Sequence, residues 1–388
     1  MQNNRKIGNI AEKRALDFLI NKGYSIIATN YQKQFGEIDI IAKKDTYIFF
    51  IEVKYRKNIK RGYPREAVSL KKQEKIKNTA LYYISENNLN NIDFSFDVIE
   101  IIDKDIIHIE NAFYWGVIMK LNEKDDLKYY TFYNIEKTSI VKHCFSTKFG
   151  GVSSGVYKSM NLSFRGDIKE NVIQNYKIIC STIGLDYKNT VFSSQIHKDK
   201  VYKVTKNDIG KGLLKQSDIY GYDALITNEK DIVLVTFYAD CVSIFIVDPI
   251  NKAIGIAHSG WKGTVKEIGA KTIKQMEIEY GSNPKDLIIG IGPSIEKCCF
   301  QVGKEVVDIF KEELPFSKSY IYNDIIEDKY KIDLQGIIKQ TLINSGVLSK
   351  NIELSKLCTM CNSDTFFSHR VMGNDRGSLA GIISLCDK

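Results

Sequence analysis

The sequence predicts a two-domain protein of the mixed α/β (α+β) class, and three observations support this prediction. The chain has 388 residues, which is more than one ordinary hydrophobic core accommodates. Apolar runs of strand length alternate with amphipathic segments of helix length in both halves. All eight cysteines follow residue 143, so the two halves also differ in composition.

The composition is that of a soluble globular protein, with 44% hydrophobic and 26% charged residues. Residues 1–14 are polar and lead into an amphipathic helix, so no signal peptide is predicted. The longest apolar run, 232–247, is interrupted by Asp240 and is too short to span a bilayer. We therefore expect a cytoplasmic protein with no membrane partner, whose cysteines are reduced or bind metal.

The first domain is predicted to cover residues 1–118. Its helical patterns lie at 10–22, where Gly23 ends the helix, and at 71–87. Its strand patterns lie at 25–30, 36–42, 47–54 and 94–101. The second and third of these strands are expected to pair as a hairpin.

Three charged residues of this hairpin suggest a metal site. Glu52 and Lys54 are two positions apart on one strand, so their side chains share a face. Asp39 on the neighbouring strand can reach them. Two carboxylates and a lysine could bind Mg²⁺ and activate water against a phosphodiester. The alternative is an ion-pair cluster at the edge of the sheet.

Residues 43–77 form a basic stretch, with twelve Lys and Arg against four Asp and Glu. The difference is +8, which equals the formal charge of the whole chain. Such a cluster suggests a polyanionic partner, such as nucleic acid. A solvated lysine-rich face explains it equally well.

An ordered series of motifs in the first domain resembles the YraN-like family of the PD-(D/E)XK nuclease superfamily. The series comprises Gly8, Glu12, Asn30-Tyr31, Gly36-Glu37-Ile38-Asp39, Glu52-Val53-Lys54-Tyr55-Arg56, Lys71 or Lys72, and Phe96-Asp97-Val98. The resemblance implies a restriction-endonuclease-like domain with a mixed sheet. It also implies a nuclease-type site formed by Glu12, Asp39, Glu52 and Lys54. An inactive module that binds nucleic acid is the alternative.

A linker is predicted at residues 119–127, because this segment is charged and lacks apolar periodicity. The second domain is then predicted to cover residues 128–388. Its strand patterns lie at 191–193, 231–238, 243–248, 253–258 and 287–292. Its helical patterns lie at 169–183, 263–280, 303–314 and 334–345. This mixture predicts helices packed on a buried sheet.

Two short motifs, at residues 238–241 and 258–263, point to a metal centre in the second domain. Cys241 and His258 offer a thiolate and an imidazole at the ends of predicted strands, and His197 is a third candidate ligand. Two histidines and one cysteine would leave one coordination position open, which is typical of catalytic zinc sites. The alternative is a buried thiol and satisfied core histidines.

Two further motifs of this domain have alternative interpretations. Gly260 and Gly263 allow a sharp turn into a helix near Thr264, whose N-terminus beside Lys262 could bind an anion. Cys358-x-x-Cys361 could be a redox pair or, with Cys298 and Cys299, a second zinc site. We favour simple core residues for these four, because cysteine is among the most buried residue types.

Ordered motifs across residues 130–388 resemble the YfiH family, also known as laccase-domain proteins, peptidoglycan editing factors and zinc-dependent purine nucleoside phosphorylases. They include Ser146-Thr147-Lys148-Phe149-Gly150-Gly151, Met160-Asn161-Leu162-Ser163, Gln195-Ile196-His197, Tyr222-Asp223-Ala224-Leu225, Ala239-Asp240-Cys241, His258-Ser259-Gly260-Trp261-Lys262-Gly263, Gly292-Pro293-Ser294-Ile295, Cys298-Cys299-Phe300, and Phe366-Phe367-Ser368-His369-Arg370. The resemblance implies that His197, Cys241 and His258 bind Zn²⁺. It also implies phosphorolysis of adenosine, inosine, guanosine and methylthioadenosine, together with adenosine deamination.

Further residues of these motifs are predicted to act on purine nucleosides and phosphate. Lys148, Lys262 and Arg370 would neutralise phosphate, and Arg370 could alternatively contact the base. Asn161 and Gln195 are predicted substrate contacts. Asp240 would orient a histidine or transfer protons as a catalytic residue. The chain departs from the family where lysine replaces the usual arginine at 148 and 262, since lysine binds phosphate as a point charge.

Other functions can be weighed against this one. A multicopper oxidase needs several copper ions with two or more imidazoles each, and five histidines in the whole chain cannot supply them. An editing hydrolase acting on peptidoglycan precursors could use the same zinc site. The third possibility is that the first domain carries the main function, as a nuclease or nucleic-acid-binding module.

Overall fold

The computed structural model describes residues 2–45, 47–56, 68, 70–87, 89, 93–103, 105–113, 119–324 and 326–386. The chain divides into two compact units, Met1–Val117 (unit 1) and Ile118–Lys388 (unit 2). Within the described ranges, no helix is both long and apolar enough to cross a membrane. The predicted mixed α/β class is confirmed in both units.

Unit 1 is built on a five-stranded sheet in the order β1-β2-β3-β4-β5, in which only β3 and β4 are parallel. Its elements are α1 (Gln2–Asn21), β1 (Ser25–Lys33), β2 (Gly36–Lys44), β3 (Tyr47–Arg56), α2 (Leu70–Glu86), β4 (Asp93–Ile102) and β5 (Asp105–Phe113). The parallel pair is possible because α2 returns the chain between β3 and β4.

The sheet of unit 1 has an apolar core on each face, because successive strand residues point to opposite sides. On β3, Phe50 packs in the cluster that contains Ile76 of α2. Ile51, the next residue, packs in the cluster that contains Ala15 and Leu19 of α1. Burying both faces explains why β3 reads as an almost continuous apolar run.

Unit 2 contains two six-stranded sheets, and seven helices are described there. The helices are α3 (Tyr133–Glu136), α4 (Lys169–Thr182), α5 (Trp261–Val265), α6 (Ile268–Tyr280), α7 (Lys304–Glu313), α8 (Leu334–Asn344) and α9 (His369–Met372). The first half of its strands is β6 (Lys120–Lys124), β7 (Leu127–Thr131), β8 (Val141–Ser146), β9 (Thr190–Phe192), β10 (Val201–Lys203), β11 (Ala224–Thr227), β12 (Val233–Tyr238) and β13 (Val242–Asp248). The remainder is β14 (Ala253–Ser259), β15 (Ile288–Ile291), β16 (Gln301–Gly303), β17 (Ile321–Asn323), β18 (Lys329–Ile332), β19 (Ile352–Leu354) and β20 (Leu379–Leu385).

The two large sheets of unit 2 pack face to face. Sheet A has the order β10-β11-β14-β13-β15-β19, and sheet B has the order β6-β7-β8-β20-β12-β9. Phe245 and Ile256 of sheet A share one core cluster with Phe145 and Leu234 of sheet B. Helices α6, α7 and α8 cover the outer face of sheet A, and α4 covers sheet B. A small third sheet has the order β16-β18-β17.

The structure differs from the sequence prediction at several places, and strands of unit 2 such as β8, β11 and β20 were not predicted. Residues 119–127, interpreted as a linker, instead form strand β6 and its turn into β7, where Met119 is buried at the start of unit 2. The single helix predicted at 263–280 is divided into α5 and α6 at Glu267, whose φ of 57° is left-handed. Strand β5 was not among the four strands predicted for the first domain, although it is as long as β1 and β2.

The middle of the basic stretch of unit 1 lies outside the described residues. Residues 57–67 carry Lys57, Lys60, Arg61 and Arg65, and they lie outside the described residues.

Candidate metal centre

The predicted metal ligands lie where the chain passes between the two sheets of unit 2. Cys241 follows β12 of sheet B and directly precedes β13 of sheet A. His197 lies in the loop that connects β9 of sheet B to β10 of sheet A. His258 is on β14, opposite Ser243 of β13. The three residues are therefore brought together by the pairing of the strands.

The ligand atoms of His197, Cys241 and His258 all lie within 4.8 Å of one another. The Sγ atom of Cys241 is 3.9 Å from Nε2 of His197. His258 is buried, Cys241 is half-buried and His197 is exposed. The group is consequently held by the core on one side and open to solvent on the other.

Asp223 fixes both histidines. It is fully buried directly before β11, and its Oδ1 atom is 2.8 Å from Nδ1 of His258. The same oxygen accepts a hydrogen bond of 3.0 Å from the backbone N–H of His197. A proton held at Nδ1 of His258 by the carboxylate leaves Nε2 available as a metal ligand.

The charges in the group stabilise one another. Burial opposes ionisation of the Cys241 thiol, but the neighbouring imidazoles of His258 and His197 outweigh it and lower the pKa to about 6. Burial likewise opposes a charge on His258, but Cys241 and Asp223 raise its pKa to about 9. A thiolate beside two imidazoles held in place is a donor set that suits a soft or borderline metal ion.

Backbone conformation at the group is unusual. His197 has φ of 59° and Asp240 has φ of 84°, although neither is glycine. Left-handed conformations cost about 1 kcal/mol or more for such residues and persist where the surrounding structure enforces them. At His197, hydrogen bonds from the backbone N–H groups of residues 196–198 to Asp223 enforce the turn.

Gly260 makes room for the group. A Cβ atom at this position would lie 3.0 Å from Sγ of Cys241 and 3.0 Å from Cδ2 of His197. Because few real contacts are that short, a side chain here would displace the ligands. The donor set, the spacing and this clearance together fit one metal ion.

Asp240 is placed differently from its predicted role. Its carboxylate accepts hydrogen bonds from the Thr359 hydroxyl at 2.6 Å and from the backbone N–H of Arg370 at 2.7 Å. The histidine-orienting role predicted for Asp240 belongs to Asp223 in the structure. Asp240 instead connects the loop before Cys241 to the later segments of the chain.

The predicted phosphate-binding cations have different surroundings. Lys262 is exposed, and its Nζ atom lies 5.5 Å from the ring centre of Trp261. Lys148 donates a hydrogen bond of 2.7 Å to the Ser363 carbonyl. Arg370 donates to the carbonyls of Cys299 and Gln301, each at 3.3 Å. Lys262 is the one of the three for which no hydrogen bond within the described residues is found.

Asn161 and Gln195, the predicted substrate contacts, hydrogen-bond to the protein itself. Asn161 is fully buried, where its amide donates to Ser163 and Asp167 and accepts from Ser378. Gln195 exchanges two hydrogen bonds with the backbone of Phe237 on β12. The side chain of Asn161 is therefore enclosed by these protein groups, and its contact with a substrate stays a prediction.

Two charged residues near the ligand group were assigned no role from the sequence. Asp223 belongs to a recognised motif, but its position immediately before an apolar strand is shared by many acids. Arg376 lies near Asp240 and Cys241, whose charges raise its pKa, although burial is the larger effect and leaves that pKa below its usual value. No spacing rule relates either residue to the ligands, since only the folded sheets bring them together.

The predicted nuclease-type residues of unit 1 are partly brought together. Glu52 is 2% exposed, and its Oε1 atom contacts Nζ of Lys54 at 2.5 Å and Nζ of Lys72 at 3.1 Å. Asp39 accepts a hydrogen bond of 2.7 Å from the backbone N–H of Val53, and burial together with the charge of Glu52 raises its pKa to about 7. Glu12 accepts a hydrogen bond of 3.1 Å from the Asn30 side chain.

The carboxylates of unit 1 do not form a compact group of three. Among the described residues, two groups of three or more potential metal ligands have all their donor atoms within 4.8 Å, and both lie in unit 2. Glu12, Asp39 and Glu52 are in neither group. Asp39 and Glu52 remain as a pair, in which burial and the charge of Glu52 raise the pKa of Asp39.

Comparison with known proteins gives a consistent result for unit 2. Residues 142–386 match the family described as multi-copper polyphenol oxidoreductase laccase. The purine nucleoside phosphorylase YlmD of Bacillus subtilis is 37% identical over 242 residues, which cover 62% of this chain and 86% of that protein. A purine nucleoside phosphorylase of Bacteroides thetaiotaomicron is 31% identical over 253 residues, which cover 64% of this chain and 94% of that protein.

Solved structures match the same unit. YlmD from Geobacillus stearothermophilus has a TM-score of 0.65 at 28% identity, covering 70% of this chain and 99% of that one. The YfiH protein of Bacillus licheniformis has a TM-score of 0.63 at 32% identity, covering 69% and 99%. Residues 11–101 of unit 1 match an uncharacterised family, UPF0102. The chain therefore belongs to the laccase-domain family of YfiH-like and YlmD-like proteins, and it carries a UPF0102, or YraN-like, domain before the laccase domain.

Proposed function

We propose that unit 2 is a zinc-dependent purine nucleoside phosphorylase. The observation that carries this proposal is the convergence of two imidazoles and one thiolate within 4.8 Å, open to solvent on the His197 side. Relatives that are 31–37% identical over this unit are named purine nucleoside phosphorylases. Following the resemblance to this family, we propose adenosine, inosine, guanosine and methylthioadenosine as substrates.

Zinc is the ion we propose for the site. Two nitrogen donors and one sulfur donor with a fourth position open are the ligand set of catalytic zinc. His197, Cys241 and His258 would hold the ion, which when bound supplies Lewis acidity toward phosphate or water. In phosphorolysis the bond between the sugar C1′ atom and the base nitrogen breaks, a bond from phosphate oxygen to C1′ forms, and the base gains a proton.

Residues of this chain supply the remaining requirements. Asp223 keeps the proton of His258 at Nδ1, so the imidazole cannot turn away from the site. Arg376, half-buried beside Asp240 and Cys241, and exposed Lys262 are proposed to attract the phosphate dianion. Arg370 is proposed to hold its loop through Asp240, since its guanidinium already contacts two carbonyl groups.

The oxidase chemistry suggested by the family description is not our proposal. The chain has five histidines, and the ligand group contains two of them. A multicopper centre distributes several ions over many imidazoles, which this chain cannot provide. Adenosine deamination, in which water replaces the amino group and ammonia leaves, is proposed as a second reaction of the same site.

A chromatographic assay tests the proposed function. The purified full-length chain is incubated with adenosine, with or without phosphate and with or without a zinc chelator. We expect adenine and ribose 1-phosphate only when phosphate is present and the chelator is absent. Inosine should form without the chelator whether or not phosphate is present. Adenine formed equally well without phosphate would show hydrolysis and contradict phosphorolysis. No product from zinc-loaded protein would reject the nucleoside assignment.

A second candidate function concerns unit 1. Among the described residues, the buried Oε2 atom of Glu52 has no hydrogen-bond partner, and Asp39 and Lys54 lie beside this carboxylate. A buried carboxylate oxygen is costly to leave unpaired, which favours a bound cation. We propose that this site binds Mg²⁺ for phosphodiester cleavage. An unfolding temperature that rises with added Mg²⁺ in the wild type, but not in Glu52→Gln, would support the site. Equal increases in the two proteins would reject it.

A further inference from the structure

Four cysteines of unit 2 form a second group of donor atoms. The Sγ atoms of Cys298, Cys299, Cys358 and Cys361 all lie within 4.8 Å of one another. Sγ of Cys361 is 3.6 Å from that of Cys298 and 3.4 Å from that of Cys299. Cys361 is exposed, so the interpretation of these residues as simple core does not hold for it.

Two loops far apart in sequence bring these sulfurs together. Cys298 and Cys299 follow β15, and Cys358 and Cys361 follow β19, which is parallel to β15 at the edge of sheet A. Ser294 and Cys358 form a β-bridge between the loops. The Cys358 carbonyl then accepts the backbone and side-chain N–H groups of Asn362, which closes the turn containing Cys361. The backbone therefore holds both pairs in register.

The spacing fits one tetrahedral ion and not a disulfide. None of these four cysteines is joined in a disulfide, which would set the two sulfurs about 2.0 Å apart. A zinc–sulfur bond of about 2.3 Å in a tetrahedral site separates neighbouring sulfurs by about 3.8 Å. The observed distances of 3.4 and 3.6 Å and the upper bound of 4.8 Å enclose that value.

We propose that Cys298, Cys299, Cys358 and Cys361 bind one Zn²⁺ ion as a structural site. Four thiolates complete the tetrahedron and leave no position for substrate, which distinguishes this site from the one at Cys241. A polynuclear iron–sulfur cluster would need more widely spaced sulfurs, because several atoms separate its ligands. The exposed side of Cys361 gives the ion a path of entry.

Cationic side chains near the cysteine loops offset the negative charge of such a centre. Four thiolates with one divalent ion carry a net charge of about −2. The Arg370 guanidinium is 3.3 Å from the Cys299 carbonyl and lies over the ring of Phe300. Lys297 directly precedes the first cysteine pair and is half-buried.

The proposed ion would stabilise the segment that carries Cys241 without contacting the ligand group at His197, Cys241 and His258. Thr359, inside the Cys358–Cys361 turn, donates a hydrogen bond of 2.6 Å to Asp240. Ile295, in the loop before Cys298, donates its N–H to the Asp240 carbonyl oxygen at 2.8 Å. Asp240 precedes the ligand Cys241, so closing the two loops positions that segment. This inference does not depend on the nucleoside reaction proposed for unit 2.

Metal analysis of the full-length protein tests the proposal. The protein is purified with a reductant and without a chelator, and the number of zinc ions per chain is measured by elemental mass spectrometry. We expect about two zinc ions per chain in the wild type and about one in Cys361→Ser and Cys298→Ser. Cys386→Ser, a half-buried cysteine outside both groups, is the matched control and should keep the wild-type content. Circular dichroism verifies that each variant is folded.

Other variants separate the two sites. His258→Ala should lose one ion and retain the one bound by the four cysteines. Replacing zinc with Co²⁺ should give strong sulfur-to-cobalt charge-transfer absorption in His258→Ala, which Cys361→Ser on the same background abolishes. Equal zinc content in folded wild type and Cys361→Ser would overturn the proposal. Alkylation and mass spectrometry of the purified wild type provide a second check. The proposal is also overturned if these cysteines are paired as disulfides and the protein gains no zinc after reduction.

Discussion

Asp223 is the residue on which the geometry of the ligand group at His197, Cys241 and His258 depends most. Its carboxylate forms a hydrogen bond with Nδ1 of His258 and accepts hydrogen bonds from three consecutive backbone N–H groups around His197. Burial opposes its charge, but these hydrogen bonds, led by that of His258, keep the pKa of Asp223 below its usual value. The acid therefore remains ionised and fixes two of the three ligands at once.

Replacing Asp223 tests this role. Asp223→Asn puts an amide where the carboxylate accepted several hydrogen bonds, so we expect zinc affinity to fall by roughly 10- to 100-fold. Affinity is measured by competition with a zinc indicator. Asp248→Asn is the matched control, because Asp248 is also fully buried and accepts backbone N–H groups, at the far end of β13. A similar loss of affinity in both variants would show a general loss of structure instead.

Gly260 offers a second test at the residue scale. Gly260→Ala adds a methyl group 3.0 Å from both Cys241 and His197, and the ligands must then separate. We expect zinc affinity to fall by about 10-fold or more, while folding is largely retained. Gly255→Ala on the preceding strand β14 provides the comparison, because its added methyl group contacts Ile226 and Met276 in the core. Unchanged zinc binding in Gly260→Ala would contradict the described clearance.

The three proposed zinc ligands were predictable from sequence because histidine and cysteine are rare in this chain and end apolar runs. Asp223 was not, because aspartate is common and nothing local marks the one that faces His258. The surroundings of Asn161 were not predictable for a related reason. Its motif was recognisable, but a motif does not tell whether a side chain faces a substrate or, as here, hydrogen-bonds to Asp167 and Ser378.

At the scale of elements, the connections between the two sheets of unit 2 build the site. The chain leaves sheet B after β9 and β12 and enters sheet A at β10 and β13. Both crossings carry a ligand and both contain a left-handed residue. Strands β12, β13 and β14 were predictable from long apolar runs. Strand β6 was not, because Lys120–Lys124 is charged and pairs only at the edge of sheet B.

Strand β8 contains a histidine whose burial makes unit 2 sensitive to acid. His143 is 4% exposed, and its Nε2 atom accepts a hydrogen bond of 2.8 Å from the backbone N–H of Phe132. Burial lowers its pKa from 6.5 to about 3. Since the unfolded chain binds the proton more readily, the stabilisation from neutral His143 is complete above about pH 6.5 and is lost as the pH falls toward 3.

His143→Gln tests this acid sensitivity. Glutamine can accept the Phe132 hydrogen bond but does not titrate. The free energy of unfolding of the variant should therefore fall less between pH 6.5 and 4 than that of the wild type. The difference is expected to be on the order of 3 kcal/mol. Urea unfolding followed by tryptophan fluorescence at several pH values measures it. Parallel pH profiles for the two proteins would show that His143 does not contribute.

At the scale of the whole molecule, the chain joins two units with separate cores and separate candidate sites. The prediction placed a boundary at residue 118, before a charged segment without apolar periodicity, and the first compact unit ends at Val117. The order of strands in each sheet was not predictable, because pairings such as β12 with β20 join residues more than a hundred positions apart. Sequence patterns indicate which segments are strands and leave their neighbours undetermined.

Independence of the two units is a prediction of this organisation. Asp39→Ala changes the carboxylate pair of unit 1, and we expect the nucleoside activity of the full chain to remain within about 2-fold of the wild type. Activity with adenosine and phosphate is compared after both proteins are shown to be folded by circular dichroism. Loss of this activity in folded Asp39→Ala would mean that unit 1 contributes to the reaction of unit 2.

The most direct test of the central claim measures zinc content and phosphorolysis on the same preparations of wild type and His258→Ala. The ligand group at His197, Cys241 and His258 predicts that the variant loses one zinc ion per chain. It also predicts that phosphate-dependent cleavage of adenosine falls by at least roughly 100-fold. Full activity in a folded variant that has lost this ion would contradict the account.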